Sequence, residues 1–351
     1  MTAFTAFDQA MMRRALALAE KGLYTATPNP RVGCVLTQGE RVVGEGWHEK
    51  AGAAHAEANA LAAAGAQTKG ATAYVSLEPC NHHGKTPPCA DALIKARVAR
   101  VVAAMRDPNP TAAKGGDKLA AAGIRFEHGL MEEEARELNI GFISRVTRGR
   151  PWVRVKIAAT LDGRTALANG QSQWITGPEA RKDGHRWRAR ACAIATGGGT
   201  VKADDPRLTV REVETPRQPL RVVIDSHVET PPCRPAGCAP PAVSGKNLPN
   251  AEVVVLPNAG GKVDLKKMLE ELGRRGVNEL HVEGGFKLNG SLAREGCVDE
   301  FLIYMNPSLL GDSAQGMVNL QEMTALDQRV ALKLRSFDRI GEDLRIVARL
   351  A

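Results

Sequence analysis

Between residues 77 and 89 the chain reads LEPCNHHGKTPPC, with thiols at Cys80 and Cys89 and imidazoles at His82 and His83. Upstream, HAEANAL starts at His55 and carries Glu57. One imidazole and two thiolates suit tetrahedral zinc and leave its fourth position to water. The metal lowers the pKa of that water, so hydroxide is available near neutral pH. Glu57, two residues past the His, is not a ligand and is suited to pass a proton from the water to a ring nitrogen and a leaving amine. His-x-Glu followed by Pro-Cys and a second Cys is the pattern of zinc-dependent nucleobase deamination. The spacing therefore predicts His55, Cys80 and Cys89 as ligands to one zinc and Glu57 as the catalytic acid/base. The alternative is a closed zinc knuckle made from CNHHGKTPPC alone, which would leave HAE without a role.

Eight residues separate the two cysteines instead of the usual two. The longer loop adds wall to a pocket and carries His82, His83 and Lys85. His82 and Lys85 are candidate substrate contacts, Lys85 as a point charge for a phosphate. The competing reading for each is a solvated loop residue.

The elements that must position these groups alternate between strand and helix. Helices are predicted at 8–21, with Asp8 as N-cap, at 56–65, 89–97 and 131–141. Strands are predicted at 31–37, 41–47, 72–78, 99–105 and 123–130. The basic, polar SRVTRGRPWV reads as a linker, with the boundary between residues 147 and 148. A second alternation follows. Its strands are WVRVKIAAT, ACAIAT, PLRVVIDS, AEVVVLP, NELHVEG and DEFLIYMNP, and its helices are 178–190, 264–274 and FKLNGSLARE. Two antiparallel strands, VALKLRSF and DLRIVARL, close the chain. Residues 230–250, rich in Pro and Gly, read as a loop. Two α/β layered domains are expected.

The 351 residues suit two domains. No apolar run is long enough for a bilayer, and no secretory signal is evident, so a soluble cytoplasmic protein is expected. Seven scattered cysteines do not form a disulfide framework. Cys34, Cys192 and Cys297 sit in apolar runs and are expected in the core, and Cys233 and Cys238 in an unstructured loop. A net charge of +8 favours anionic partners, but aromatic residues make up only 4%, against a single-strand nucleic-acid binder.

TPNPRVGCVL, GEGWHEKAGAAHAE, LEPCNHHGKTPPC and DPNP together resemble the deaminase half of the bifunctional riboflavin-biosynthesis deaminase/reductases. KIAATLDGRTA, SQWITGPEAR, TVKADDPRLTVR, VVIDS, VEGG and PSLLG resemble the reductase half, in the same domain order. The resemblance implies a cytidine-deaminase-like α/β/α sandwich over 1–147 and a dihydrofolate-reductase-like α/β domain over 148–351. It implies deamination of 2,5-diamino-6-ribosylamino-4(3H)-pyrimidinone 5′-phosphate, then reduction of the ribosyl group with NADPH. It implies a homo-oligomer acting on a small phosphorylated pyrimidine, with no nucleic-acid or membrane partner. Asn29 and His48 match deaminase pocket residues. Ser172, Arg188, Leu208, Arg211 and Glu283 match reductase substrate contacts. Ala158, Trp174, Thr200 and Asp204 match cofactor contacts, as does the backbone from Gly284 and Gly285 to Ser291. Ser226 is a candidate for the adenosine-side 2′-phosphate. Asn29 reads alternatively as a Pro-Asn-Pro turn, His48 as a hydrogen-bonded hairpin end, the arginines as surface charges and Trp174 as a core aromatic. The nearest rival activity is a tRNA adenosine deaminase, and a nucleotide-binding module without turnover is the other.

Overall fold

Thr5 accepts a hydrogen bond from the Asp8 N–H while the Asp8 carboxylate accepts one from the Thr5 N–H. This reciprocal capping box starts α1 (Ala6–Glu20) and makes Thr5, not Asp8, the N-cap. The computed structural model describes residues 4–84, 87–227 and 254–351 and the backbone of Ala242–Val243. Lys85, Cys233 and Cys238 lie outside the described residues.

The chain divides into two compact units, Met1–Gly149 and Arg150–Ala351. In the first, a turn at Gly39 joins β1 (Gly33–Gln38) to antiparallel β2 (Arg41–Trp47). Then follow α2 (Ala56–Ala64), β3 (Thr72–Val75), α3 (Cys89–Lys95), β4 (Arg100–Ala103), α4 (Gly115–Ala121), β5 (Arg125–His128), α5 (Glu132–Leu138) and α6 (Ile140–Arg148). The sheet order is β2-β1-β3-β4-β5. Successive strand residues point to opposite faces. Cys34, Leu36, Ala73 and Val75 accordingly pack with Ala60, Leu93 and Leu119 of α2, α3 and α4. Val35 and Tyr74 pack with Met12 and Ala135 of α1 and α5. The result is a three-layer α/β/α sandwich. Residues 144–148, read from sequence as linker, complete α6, so the expected boundary at 147/148 falls in its last turn. Two of the arginines that suggest a linker, Arg145 and Arg148, lie on a helix that buries Gly141, Phe142 and Ser144.

The second unit begins with β6 (Trp152–Thr160) and β7 (Arg164–Ala166), then α7 (Pro178–Arg190), β8 (Ala193–Gly197), α8 (Gly198–Asp204), β9 (Leu220–Ile224) and β10 (Ala242–Val243). It continues through α9 (Leu265–Arg274), β11 (Glu279–Val282), α10 (Phe286–Arg294), β12 (Glu300–Asn306), β13 (Gln315–Gly316), β14 (Leu332–Ile340) and β15 (Asp343–Leu350). The eight-stranded sheet runs β10-β9-β8-β11-β6-β12-β15-β14. Pairing is parallel from β10 to β12 and antiparallel beyond. Val153, Val155 and Ile157 of β6 enter a core with Met268, Leu269 and Leu292 of α9 and α10. The opposite face of β6 carries Arg154 and Lys156. Arg154 is fully buried and pairs with Glu279 and Glu300. Such a charge is tolerated inside a domain only with its partners in place. Ala180 and Trp187 of α7 cover that face with Tyr304.

Two strand expectations need correction. Within AEVVVLP, the described Val254–Leu256 join no ladder, and Pro257 makes only an isolated bridge to Val263. The sheet position beside β9 belongs instead to Ala242–Val243, inside the segment read as loop. Among the described residues, no helix is long and apolar enough to cross a membrane.

Candidate active sites

Gly46 of β2 decides where α2 can lie. A Cβ there would stand 2.5 Å from the Ala56 carbonyl oxygen and 2.6 Å from the Ala60 nitrogen. Without one, the helix rests directly on the strand, and its N-cap, His55, is carried to the end of the sheet. His55 makes no side-chain capping bond, so its ring is committed elsewhere. Its Nδ1 lies 3.3 Å from Cys89 Sγ and 3.6 Å from Cys80 Sγ. Cys89 is the first residue of α3, and its N–H donates to Cys80 Sγ at 3.4 Å. The three donor atoms fall within 4.8 Å of one another. That spread, and a donor set of one nitrogen and two sulfurs, fit zinc with bonds of about 2.0–2.3 Å.

The electrostatics agree with a cation site. Hydrogen bonds from Cys89 and His55 bring the Cys80 thiol down to about 4. The neighbouring Cys80 sulfur and burial push Cys89 up. Two thiols this close ionise together only with a positive charge between them. Glu57 is buried, and burial, with the Cys80 charge next, pushes its carboxyl up to about 7.

Asn29, His48 and His82 join this cluster in one cavity of about 470 Å³. The His48 Nδ1 lies 3.0 Å from the Ala54 carbonyl oxygen, which fixes that nitrogen as the donor. The other ring nitrogen then accepts from Asn29 Nδ2 at 3.1 Å. Burial lowers the His48 pKa, consistent with a neutral ring. His82 is half-buried, and its Nδ1 meets no partner among the described residues. His83 is exposed.

Sequence reasoning missed the opposite wall. The buried Glu78 carboxylate accepts from the Asp107 N–H at 3.0 Å and the Gly116 N–H at 2.9 Å. It straps the DPNP loop against the ligand segment, and Asp107 and Asn109 line the cavity. The motif DPNP was visible in the sequence, but its neighbours were not. Phe142 and Arg145 of α6 complete the lining.

In the second unit, Arg188 of α7 grips Glu283 through two parallel bonds, Nε–Oε1 at 2.5 Å and Nη2–Oε2 at 2.7 Å. Burial opposes ionisation of Glu283, but the guanidinium holds its carboxyl well below the usual range. Arg188 Nη1 also donates to the Thr209 carbonyl, and the Thr209 hydroxyl accepts from Arg211. The Arg211 N–H donates to His185 Nδ1 at 3.1 Å. Burial and Arg188 bring His185 down to about 4. Lys156 is electrostatically coupled to Glu283 and Arg188, and burial lowers its pKa. His185 and Lys156 were not anticipated. A lysine alternating with valines in VRVKIAAT was the available signal.

Leu208 is buried, with its backbone at φ +49° beside this cluster. Ala158 lies two residues past Lys156 on the same face of β6. Gly197 and Gly285 are the N-caps of α8 and α10, which follow the neighbouring parallel strands β8 and β11. An added Cβ on Gly285 would stand 3.8 Å from Thr200 Oγ1, so those two residues face each other. Gly284 packs on Leu288. Trp174 is 71% exposed with the Arg181 guanidinium 4.8 Å from its ring, so it is no core aromatic. Asp204 ends α8, Ser172 lies on the loop before α7, and Ser226 accepts from the Val263 N–H. Among the described residues, no hydrogen bond or ion pair ties these three to the Arg188–Glu283 pair.

Residues 5–105 match the cytidine and deoxycytidylate deaminase zinc-binding region, and residues 151–346 match the RibD C-terminal domain. The riboflavin biosynthesis protein RibD of Escherichia coli K12 is 44% identical, across 96% of this chain and 98% of that protein. Its Haemophilus influenzae counterpart is also 44% identical, across 99% and 98%. Acinetobacter baumannii RibD superposes with a TM-score of 0.86 at 40% identity, across 98% of this chain and 99% of that one. The Thermotoga maritima diaminohydroxyphosphoribosylaminopyrimidine deaminase/5-amino-6-(5-phosphoribosylamino)uracil reductase gives 0.87 at 30% identity, with the same coverage.

Proposed function

Because this chain belongs to the RibD family of riboflavin-biosynthesis deaminase/reductases, we propose a specific role for each of its two clusters. The cavity at His55, Cys80 and Cys89 removes the 2-amino group of 2,5-diamino-6-ribosylamino-4(3H)-pyrimidinone 5′-phosphate as ammonia. The Arg188–Glu283 cluster serves NADPH-dependent reduction of the product's ribosyl group, giving 5-amino-6-(5-phosphoribitylamino)uracil. Residues 1–147 carry the first activity and 148–351 the second. The observation that carries this reading is the set of three donor atoms within 4.8 Å beside a buried carboxyl in one cavity.

His55, Cys80 and Cys89 hold the zinc, which when bound supplies the Lewis acidity that activates water near neutral pH. Glu57 takes a proton from the attacking water and passes it to the ring nitrogen, then passes the water's second proton to the leaving amine, which departs as ammonia. A pKa near 7 suits a group that must both take and give that proton. Asn29 and neutral His48 read the pyrimidine and ribose. His82 belongs to the same wall, joined by Asp107 and Asn109, and Lys85 is the further substrate contact proposed from the sequence.

NADPH, when bound, supplies the hydride. Arg188 and Glu283 orient the sugar, with Ser172, Leu208 and Arg211 around them. Ligands of parallel α/β sheets bind at the carboxyl ends of the strands. Here those ends lead into α8 and α10, which supports contacts from Ala158, Trp174, Thr200, Asp204, Ser226, Gly284 and Gly285 to the cofactor. The N-terminus of α10 favours a phosphate. Lys156 supplies the proton taken up by the sugar oxygen as its ring opens. Lys156→Met should slow NADPH loss and leave ammonia release unchanged.

The substrate is a free nucleotide in the cytoplasm, so excess RNA should not inhibit ammonia release. The enzyme works as a homo-oligomer, a reading supported by the exposed Leu334 and Phe337 on edge strand β14. Sedimentation as a monomer at micromolar concentration would overturn it. The test of the whole reading is one assay that follows ammonia and NADPH absorbance together. Ammonia release followed by NADPH loss is expected. NADPH loss without ammonia would sink the zinc assignment.

A further inference from the structure

Resting on the deaminase reading above, we infer that Glu78 is a positioning residue for deamination: it holds the Asp107–Asn109 wall of the cavity at a fixed distance from Cys80. Glu78 stands two residues before Cys80, and its side chain is buried. A buried carboxylate needs hydrogen bonds to its oxygens. Here both oxygens are served by main-chain N–H groups of one neighbouring segment, Asp107 to Oε2 at 3.0 Å and Gly116 to Oε1 at 2.9 Å. The Arg106 guanidinium adds a longer contact to Oε1, at 3.5 Å, from a side chain that is 45% exposed and also pairs with Asp117.

Main-chain contacts extend the join on both sides of the carboxylate. The Glu78 N–H donates to the Met105 carbonyl at 2.9 Å, and the Asn81 N–H donates to the Ala112 carbonyl at 2.9 Å. A Cβ on Gly115 would stand 1.7 Å from the Pro79 carbonyl oxygen, so the start of α4 rests directly on the ligand segment. Residues 78–81 are thus fastened to residues 105–116. The second segment supplies Asp107, Asn109 and Ala112 to the cavity. Its turn is held together by the Asp107 carboxylate, which accepts from the Asn109 N–H at 2.8 Å. Glu78 therefore joins the segment of a proposed metal ligand to the wall that holds the pyrimidine. Without its carboxylate, His55, Glu57 and Cys89 keep their places at the starts of α2 and α3, and the wall can recede. A carboxylate accepts on both oxygens. An amide accepts on one and turns an NH2 group toward the other main-chain N–H.

The experiment uses the full-length, zinc-loaded enzyme and the variants Glu78→Gln, Glu78→Asp and Arg106→Gln. Glu78→Gln should raise KM for ammonia release roughly five- to fiftyfold, the effect of one buried N–H left unpaired. Its kcat should stay within about threefold, because the reacting groups are untouched, and its zinc content should match wild type. Peptides covering 105–116 should exchange amide hydrogens faster than in wild type, and those covering α2 at the wild-type rate. Glu78→Asp keeps both acceptor oxygens but is one methylene shorter, so its KM should lie between the two. Arg106→Gln should keep KM within about twofold, since its contact is long and screened by solvent. A KM loss in Arg106→Gln equal to that in Glu78→Gln would place the effect in the ion pair and overturn the proposal. Wild-type KM in folded, zinc-loaded Glu78→Gln would make Glu78 a brace for the fold alone, and a fall in kcat with loss of zinc would place its action on Cys80; either overturns the proposal. If Glu78→Gln does not fold, Glu78→Asp decides, and a wild-type KM there overturns it. Wild-type enzyme that releases no ammonia, with exchange at 105–116 still faster in Glu78→Gln, would overturn the deaminase reading and leave the join in place.

Discussion

Glu57 lies on the first turn of α2, two residues past His55, the proposed metal ligand, in a site where a carboxylate costs free energy to bury. Burial and the adjacent thiolate both favour its protonated form. The residue is thus tuned by its surroundings to hold a proton near neutrality, as a general acid/base must. Glu57→Gln keeps the shape and hydrogen-bonding reach but removes the exchangeable proton. Deamination should fall by about 10²–10⁴-fold. Because Glu57 is not among the three donors proposed to hold the zinc, metal analysis of the purified variant should still find one zinc per chain. Normal deamination by Glu57→Gln would remove the carboxyl from the mechanism. The reductase pair obeys the opposite electrostatics: Arg188 keeps Glu283 charged, which suits orientation of a sugar and not proton transfer.

At the scale of elements, the metal site depends on how closely α2 approaches β2. Gly46→Ala puts a methyl group 2.5 Å from the Ala56 carbonyl, against backbone that cannot swing away. The helix must shift, at a cost of about 1–3 kcal/mol. His55, at its start, must move with it. Urea unfolding should show the loss of stability, and zinc should dissociate faster to a chelator than from wild type. Unchanged zinc release would mean that α2 is not what places His55. The same geometry explains which parts of the site were legible in the sequence. His55, Glu57, Cys80 and Cys89 declare themselves because their types and order are set by the metal chemistry. The strands around them are equally plain as short apolar runs, since helices bury both faces of the sheet. Helices α4 and α8 were hidden because they begin GGDKLAA and GGTVKAD, glycine-led sequences without a side-chain cap. The DPNP wall was hidden because its strap, Glu78, precedes Asp107 by 29 positions. Lys156, His185 and Glu283 meet only through the crossing of β6, α7 and β11, a relation set by sheet order rather than by spacing along the chain.

At the scale of the molecule, the two activities draw on separate sets of residues. His55, Cys80, Cys89, Glu57 and every described residue lining the cavity lie before Gly149. The Arg188–Glu283 cluster lies wholly after Arg150. The cores are separate as well: Leu36, Leu93 and Met12 pack with their own unit, and Val155, Met268 and Leu302 with the other. Zinc held by His55, Cys80 and Cys89 would cross-link the start of α2, the start of α3 and the segment after β3, and its removal would take no contact from the second core. Deamination should be lost on dialysis against a chelator and return with added zinc. NADPH-dependent reduction of the already deaminated substrate should stay within about twofold of the untreated rate, since sites that share no residues or partners respond independently. Loss of both activities in the metal-free enzyme, with both restored by zinc, would show that the first unit holds the second in its working form and that the two cores are coupled despite their separate packing.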